Sequence, residues 1–253
     1  MLRTLLIWGL LAGLCGGIVG SGFAKVVGEP PLDRAIAWES AHARAAGEAP
    51  HAEVVSRRVQ SSIGLFTGAC VYGIALGGLF ALAFAGAYGR VSRAGPAVTA
   101  VGLGAAAFVV LYLVPFLKYP ANPPSVGDPA TIGERTTLYF GMMAISLLAA
   151  IAATRLRVQV LARLPRDIAT LYAFAAFAVV VVAAALVMPV VDEVPATFPA
   201  TTLWAFRVAS MGVQLVMYTT IALVFGVAAE RAIKSAPPRR EAAGPGQMSV
   251  PRR

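Results

Sequence analysis

Six apolar runs, each close to the length that crosses a bilayer as a helix, account for most of the 253-residue sequence. A bilayer core of roughly 30 Å requires about 20 helical residues per crossing. The chain is 58% hydrophobic and only 13% charged, so a soluble domain of this size could not cover so much apolar surface. We therefore predict an all-α, polytopic membrane protein with about six transmembrane helices, at residues 5–27, 63–88, 96–117, 138–154, 168–191 and 203–229.

The first run also has an interpretation as a cleaved secretory signal. Arg3 precedes it, and the sequence Gly22-Phe23-Ala24 resembles a small-x-small cleavage site. Against this, the run exceeds the roughly 7–15 apolar residues of a signal core. Its glycines at 9, 13, 17 and 20 also have a spacing that favours close helix packing. We expect the helix to be retained, which gives six spans; cleavage would leave five.

The distribution of charge predicts that both termini are cytoplasmic, with three helical hairpins pointing outward. In this orientation the cytoplasmic side holds 13 of the 21 Lys and Arg residues, as the positive-inside rule requires. Nine of the 12 acidic residues then lie outside. The net charge of +9 thus reflects topology and contact with anionic lipid headgroups, and it does not indicate nucleic-acid binding. The acid-rich outer face would not repel a cation.

Prolines follow every outward-going span. Pro30 and Pro31 follow the first, the run VPFLKYPANPP at 114–124 follows the third, and Pro189 follows the fifth. Proline lacks an N–H and disfavours helix at the residue before it, so we expect these spans to stop there. Irregular backbone near membrane depth persists only inside protein or beside a wet cavity. The rigid segment 114–124 is therefore a candidate mouth.

The chain divides into one domain and a tail. Residues 1–234 are predicted to form the transmembrane domain, whose outer loop at 28–61 is partly helical, with a short helix at 33–39. Residues 235–253 are rich in Pro, Gly, Ala and charge, which predicts a disordered, basic cytoplasmic tail.

Polar side chains near the predicted outer surface are the candidate site residues. We expect outer acids to attract a divalent cation, the 114–124 segment to frame the entrance, and the sixth span to line the path. The candidates are Glu29, Asp33, Glu39, His42, Lys118, Tyr119, Asn122, Arg135, Asp192, Glu193, Arg207 and Gln214.

Two of these groups also have plainer interpretations. Glu39 and His42, three residues apart on a helix, could hold a divalent metal with His51 and Glu53, or they could belong to a solvated loop. The pair at 118–119 could simply anchor the chain at the membrane interface.

The two arginines are likewise open to ordinary explanations. Arg135 could pair with Asp128 or Glu134, and Arg207 could reach lipid headgroups or pair with the acids at 192–193. The polar face of the sixth span could serve helix–helix hydrogen bonding as well as permeation.

Motifs for catalysis are missing from the sequence. It has no phosphate-binding GxxxxGK[ST] loop, no GxGxxG, no GxSxG elbow and no HExxH pair. We expect no enzyme activity, no ATP hydrolysis and no permanently bound cofactor. Any transport would be facilitated, ion-coupled or powered by a partner.

Four stretches of the sequence resemble the CbtA family, proposed membrane subunits of cobalt transporters, and most closely its actinobacterial-type branch. They are VVGEPPLDRAIAWES at 26–40, SRRVQSSIGLFTG at 56–68, VPFLKYPANPPSVGDPATIGERTTLYF at 114–140 and FPATTLWAFRVASMGVQLVMYTTIALVFG at 198–226. The third is the most specific, and together they extend over nearly the whole chain. The family is commonly described with five spans, which cleavage of the first run would reproduce.

The resemblance implies a multi-pass subunit of cobalt uptake in a bacterial plasma (inner) membrane, with the cobalt ion as substrate. It also implies a small single-span partner that carries a histidine-rich metal site. This sequence has no histidine cluster of its own, so either the partner captures the metal or this branch moves something else. The alternative function is a non-transporting membrane scaffold or assembly partner.

The predicted orientation can be tested with reporter fusions. Alkaline phosphatase fused after Pro124 should be active, because the charge pattern places that segment outside, and the same reporter after Arg93 should be inactive. Enzyme activity of colonies carrying each fusion is the measurement. The opposite pattern would invert the topology and reject entry of a cation at 114–124.

Overall fold

The computed structural model describes residues 1–47, 55–91, 94–124 and 126–235. These residues contain no β-strand and six helices that are long and apolar enough to cross a membrane, which confirms the all-α, six-span prediction. The α-helices are α1 (Leu2–Phe23), α2 (Glu29–Ala45), α3 (Arg57–Val59), α4 (Leu65–Ala87), α5 (Pro96–Phe108), α6 (Val114–Lys118), α7 (Ile132–Val160), α8 (Arg166–Val187) and α9 (Ala200–Lys234).

Several helices join end to end, so the six spans are longer than the individual α-helices. Numbered in chain order, the spans are Leu2–Ala45, Arg57–Ala87, Pro96–Lys118, Pro129–Val160, Arg166–Val187 and Ala200–Lys234. We call the end of the bundle that carries residues 119–131 and 188–199 the loop end. The charge pattern predicts that the loop end is the outer one. Residues 236–253, in the predicted tail, lie outside the described part of the chain.

π-helical turns occur near the loop end in each of the first three spans. They lie at Ala24–Gly28 before α2, at Gln60–Gly64 before α4 and at Val109–Leu113 before α6. A π-helical turn inserts an extra residue into an α-helix and redirects the face that follows it, and such turns are frequent at functional sites.

The prediction that prolines stop the span was wrong for the first span, and the third span passes Pro115 but ends inside the predicted 114–124 run, at Lys118. Pro30 and Pro31 lie in the first turn of α2, and Pro115 is the second residue of α6. A proline is tolerated at the start of a helix, where its missing N–H is not required. A π-helical turn precedes each of these prolines, so the helix restarts at them and continues.

The chain leaves helical geometry later than expected at one exit and as expected at another. The third span runs on to Lys118, and Tyr119 then breaks the helix with φ −127° and ψ 78°. The fifth span does end before Pro189, since α8 stops at Val187 and Met188 is extended. The short helix expected at 33–39 forms part of the longer α2.

Glycines bring α1 and α4 into backbone contact. A Cβ built on Gly9 would lie 2.5 Å from the carbonyl oxygen of Gly77, and one on Gly17 would lie 2.6 Å from that of Ala69. Real Cβ atoms do not approach so closely, so only glycine allows this separation. Small residues that permit close approach are the usual basis of helix packing in membranes. The first helix is therefore an integral part of the bundle.

The main core lies where α9 meets α1, α4 and α5. The Phe225 ring on α9 packs edge-on against Phe84 and Phe80 of α4, with ring centroids 5.0 and 5.3 Å apart. Ile221 and Met217, one and two turns earlier on α9, are almost completely buried. The sixth span thus packs between the first and third spans.

Spans 4 and 5 form a second, less buried unit. α7 packs along α8, and both meet the end of the third span around Val114, Tyr119 and Met142. α8 buries only Ala169 and Ala173 among its 22 residues.

The predicted hairpins differ in how closely their two spans pack. The hairpin of spans 1 and 2 is closely packed, because α1 and α4 are in backbone contact. Spans 5 and 6 are consecutive, but they do not pack extensively against each other.

The close contact between α1 and α4 makes a testable prediction about Gly77. Gly77→Ala should destabilise the bundle by about 1–3 kcal/mol, the usual cost of overpacking, because its Cβ would lie 2.7 Å from Cα of Gly13. Gly68→Ala on the same helix is the control: a Cβ there meets nothing within 4 Å, so stability should hold or rise. Thermal unfolding in detergent measures both. Equal stability of the two variants would contradict the packing.

Candidate functional site

A cavity of about 820 Å³ opens at the loop end. Its walls come from the end of the third span, the start of the fourth, the connection between the fifth and sixth, and the first turns of α9. They are mostly aromatic and aliphatic, with a few polar groups, which is the usual composition of a small-molecule site. The lining includes five of the predicted site residues, from four separate parts of the sequence: Tyr119, Asn122, Arg135, Asp192 and Arg207.

Tyr119 connects the third span to the fifth at one wall of the cavity. Its hydroxyl donates a hydrogen bond to the carbonyl of Pro189 at 2.8 Å. Burial raises the pKa of the Tyr119 phenol, so the group stays neutral and remains a donor. The ammonium of Lys118 lies 5.7 Å from the centre of the Tyr119 ring, a cation–π distance.

Arg207 binds the irregular segment that follows Tyr119. Its Nη2 donates to Oδ1 of Asn122 at 2.8 Å, and its Nε donates to the carbonyl of Ala121 at 3.3 Å. The salt bridges found in the described residues do not include Arg207, so the expected pairing with the acids at 192–193 is not observed. Among the described residues no carboxylate pairs with this guanidinium, so no ion pair compensates its positive charge at the cavity wall.

Glu193 connects the loops beside the cavity through Arg135, which lines it. Its carboxylate lies 3.3 Å from Nε of Arg135 and accepts hydrogen bonds from the backbone N–H of Asp128 at 2.9 Å and the hydroxyl of Thr131 at 2.7 Å. Nη2 of Arg135 donates to the carbonyl of Asp128 at 3.0 Å. The expected pairing of Arg135 with the side chain of Asp128 or Glu134 is therefore replaced by a pairing with Glu193.

Two of the three predicted acids of α2 share one arginine, and the described lining of the cavity includes none of the three. Arg57 forms ion pairs with Glu29, which is buried, and with Asp33 at 3.0 Å. Glu39 is exposed on the same helix. Through Arg57, the carboxylates of Glu29 and Asp33 therefore hold the two ends of the 28–61 segment together.

His42 contacts an aromatic side chain of its own helix. Its ring stacks on Trp38 at 4.8 Å, and Trp38 packs edge-on against Phe198 of the connection between spans 5 and 6. No group of three or more His, Cys, Asp or Glu residues capable of holding a metal ion occurs in the described ranges. His51 and Glu53, the other members of the predicted cluster, lie outside those ranges.

A cluster of tyrosines lies beside Gln214, with which Tyr72 interacts, deeper in the bundle than Arg207. The Tyr72 hydroxyl lies within interaction distance of Tyr218 and Gln214, and Tyr139 is close to both Tyr72 and Tyr112. Both Oε1 of Gln214 and the hydroxyl of Tyr112 are buried without a hydrogen-bond partner in the described structure. Buried polar atoms are normally paired, so unpaired ones in a membrane-spanning bundle mark a place where a polar ligand or water can bind.

The tyrosine cluster continues the cavity into the bundle. Tyr112 and Tyr139 line the cavity and also belong to the cluster. On α9, Arg207, Gln214 and Tyr218 share one face, and the 11 residues from first to last rise about 16 Å at 1.5 Å per residue. These side chains form a row of polar groups, which we call the polar route, and the row extends from the loop end to about the middle of a bilayer core of roughly 30 Å.

Tyr72, Tyr112 and Tyr139 belong to this route but were not among the residues predicted from the sequence. Each is a single tyrosine in an apolar run, a pattern that equally describes a packing residue. Tyr112 stacks between Phe108 and Phe116, at 5.8 and 5.3 Å, and lies within the π-helical turn of the third span. A π-helical turn has no sequence signature, so the convergence of these side chains could not be foreseen.

The fold and the cavity define a multi-pass helical membrane protein with a polar route entering from one end. The family model described as "Probable cobalt transporter subunit (CbtA)" matches residues 2–230, about nine-tenths of the chain and all six spans. The chain therefore belongs to the CbtA family. The description of the family as a probable transporter subunit implies a partner subunit in the same membrane system. No curated protein and no solved structure matched the chain.

Loss of the Glu193 carboxylate should loosen the loop end. Glu193→Ala removes the ion pair with Arg135 and the acceptor for the N–H of Asp128 and the hydroxyl of Thr131, so we expect a loss of about 1–3 kcal/mol. Glu134→Ala, a neighbouring exposed acid, is the control and should change stability little. Chemical denaturation in detergent measures both variants. A Glu193 variant as stable as the wild type would show that these contacts are unimportant.

Proposed function

We propose that this chain is the membrane subunit of a cobalt uptake system in a bacterial plasma (inner) membrane, and that its substrate enters through the cavity at the loop end. The observation that carries the proposal is the polar route that joins this cavity to Gln214 and the tyrosine cluster. Together with membership of a family of probable cobalt transporter subunits, it favours transport.

Polar groups at membrane depth support a role in permeation. Such side chains are costly in a bilayer unless they face protein or a wet cavity. Here they come from the second, third, fourth and sixth spans and meet around Gln214. In this proposal hydroxyl and amide oxygens replace part of the substrate's hydration along the route. Cobalt is a passing substrate, and we propose neither a resident cofactor nor a catalytic step.

The direction of transport rests on the predicted topology. The charge pattern places the loop end outside, so entry there corresponds to uptake. We further propose that a small single-span partner with a histidine-rich site captures the metal. This division of labour agrees with the lack of a metal-binding group in the part of this chain that the structure describes.

The alternative function, a non-transporting scaffold, predicts different contacts at the loop end. If the chain were a non-transporting assembly partner, Arg207 and the outer acids should pair only with each other and leave no cavity. Glu29, Asp33 and Glu193 do pair with arginines, but Arg207 binds Asn122, and the cavity lies beside it. These observations favour transport over a scaffold.

A substitution in the polar route tests the proposed function. Gln214→Leu replaces the amide with an apolar side chain of similar size. Loss of one polar contact, worth about 1 kcal/mol, should lower the rate of cobalt uptake roughly five-fold. The measurement is uptake of labelled Co²⁺ by cells that express the chain with a small histidine-rich partner.

Two controls complete this experiment. Leu215→Ala changes the neighbouring exposed residue on α9 and should leave uptake unchanged. Cells with the partner alone give the background. If the wild-type chain does not raise uptake above that background, with or without the partner, cobalt transport is rejected.

A further inference from the structure

We propose that the cavity binds an organic carboxylate, with Arg207 as its anchor, and that cobalt enters as a carboxylate complex rather than as a bare ion. The binding of a carboxylate stands on the cavity alone. Its coupling to cobalt rests on the function proposed above.

The size of the cavity is the first reason. A water molecule occupies about 30 Å³ of liquid, so a metal ion with six waters fills roughly 180 Å³. The cavity, at about 820 Å³, is several times larger. It falls in the range of roughly 300–1,000 Å³ that is usual for small organic ligands.

The free donors of Arg207 are the second reason. A guanidinium carries five N–H donors, and the structure engages two of them, with Asn122 and the carbonyl of Ala121. Since Arg207 lines the cavity, donors remain for a ligand there. The planar guanidinium matches a carboxylate through two parallel hydrogen bonds, which is the strongest pairing available to it.

The charge of the lining also disfavours a bare divalent cation. Asp192 is the only carboxylate in the described lining, and it is exposed. Glu193 is engaged by Arg135 and the loop backbone. The positive charge of Arg207, with no carboxylate paired to it, repels a dication and attracts an anion.

The deeper part of the route favours the same substrate. Gln214 and the tyrosines around it supply neutral oxygens and no carboxylate. Moving charge through the membrane interior is costly, so a complex of low net charge crosses such a region more easily than a dication. The rings of Tyr112, Phe116 and Phe140 along the cavity wall suit the carbon skeleton of an organic ligand.

Binding can be measured on the purified full chain in detergent with labelled citrate and labelled succinate as probes. We expect saturable binding of at least one of them. Asn122→Asp should weaken binding at least about ten-fold, because the new carboxylate would neutralise Arg207 at the existing 2.8 Å contact without emptying the site.

Two further variants keep this measurement decisive. Arg207→Lys retains the charge but loses the two-pronged geometry, so it should weaken binding about ten-fold. Arg155→Gln, an exposed arginine on α7 outside the cavity, should have no effect. The inference fails if neither probe binds saturably, or if Asn122→Asp and Arg207→Lys bind as the wild type does.

Uptake separates this inference from the proposed function. Cells expressing the chain and its partner should take up labelled cobalt faster when citrate is present in equimolar amount, and Asn122→Asp should abolish the difference. If neither citrate nor this variant changes the rate of cobalt uptake, the carboxylate complex is rejected and the proposed transport function is retained. Carboxylate binding without uptake of cobalt in either form would retain the cavity ligand and reject the transport function.

Discussion

Leaving the helix at the membrane surface exposes backbone carbonyls, and the need to satisfy them organises the whole site. Past Lys118 the chain has no helical ladder, and hydrocarbon offers no hydrogen bonds to replace it. Three side chains supply them: Arg207 to Ala121, Arg135 to Asp128 and Tyr119 to Pro189. The same three side chains line the cavity, so the groups that stabilise the loops also shape the site.

The bundle around this site has two parts with different packing. Glycines and alanines bring α1, α4, α5 and α9 together around Phe225, and their close backbone contacts leave little freedom. α7 and α8 join this frame near the end of the third span, and α8 buries very little of its surface. The cavity lies at the junction of the two parts, where α9 and the third span meet the fourth and the connection between spans 5 and 6.

The sequence was sufficient for the spans but not for the contacts between them. Hydropathy predicts each span because length and apolarity are local properties, and all six are found. Pro30 and Pro115 do not stop the helix, because a π-helical turn, which has no sequence motif, precedes each of them and the helix restarts there. Asn122 and Arg207 are 85 residues apart, and nothing local to either one identifies the other as its partner.

Charge counted along the sequence likewise overstates the acidity of the loop end. Glu29 and Asp33 share the single positive charge of Arg57, and Glu193 pairs with Arg135, so the field of these carboxylates at a distant ion is partly cancelled. What remains at the cavity is the guanidinium of Arg207, held by neutral oxygens, and Asp192, whose charge water screens. The sign of the local potential is therefore set by which charges are unpaired, and it favours an anion where the sum of residues suggested a cation.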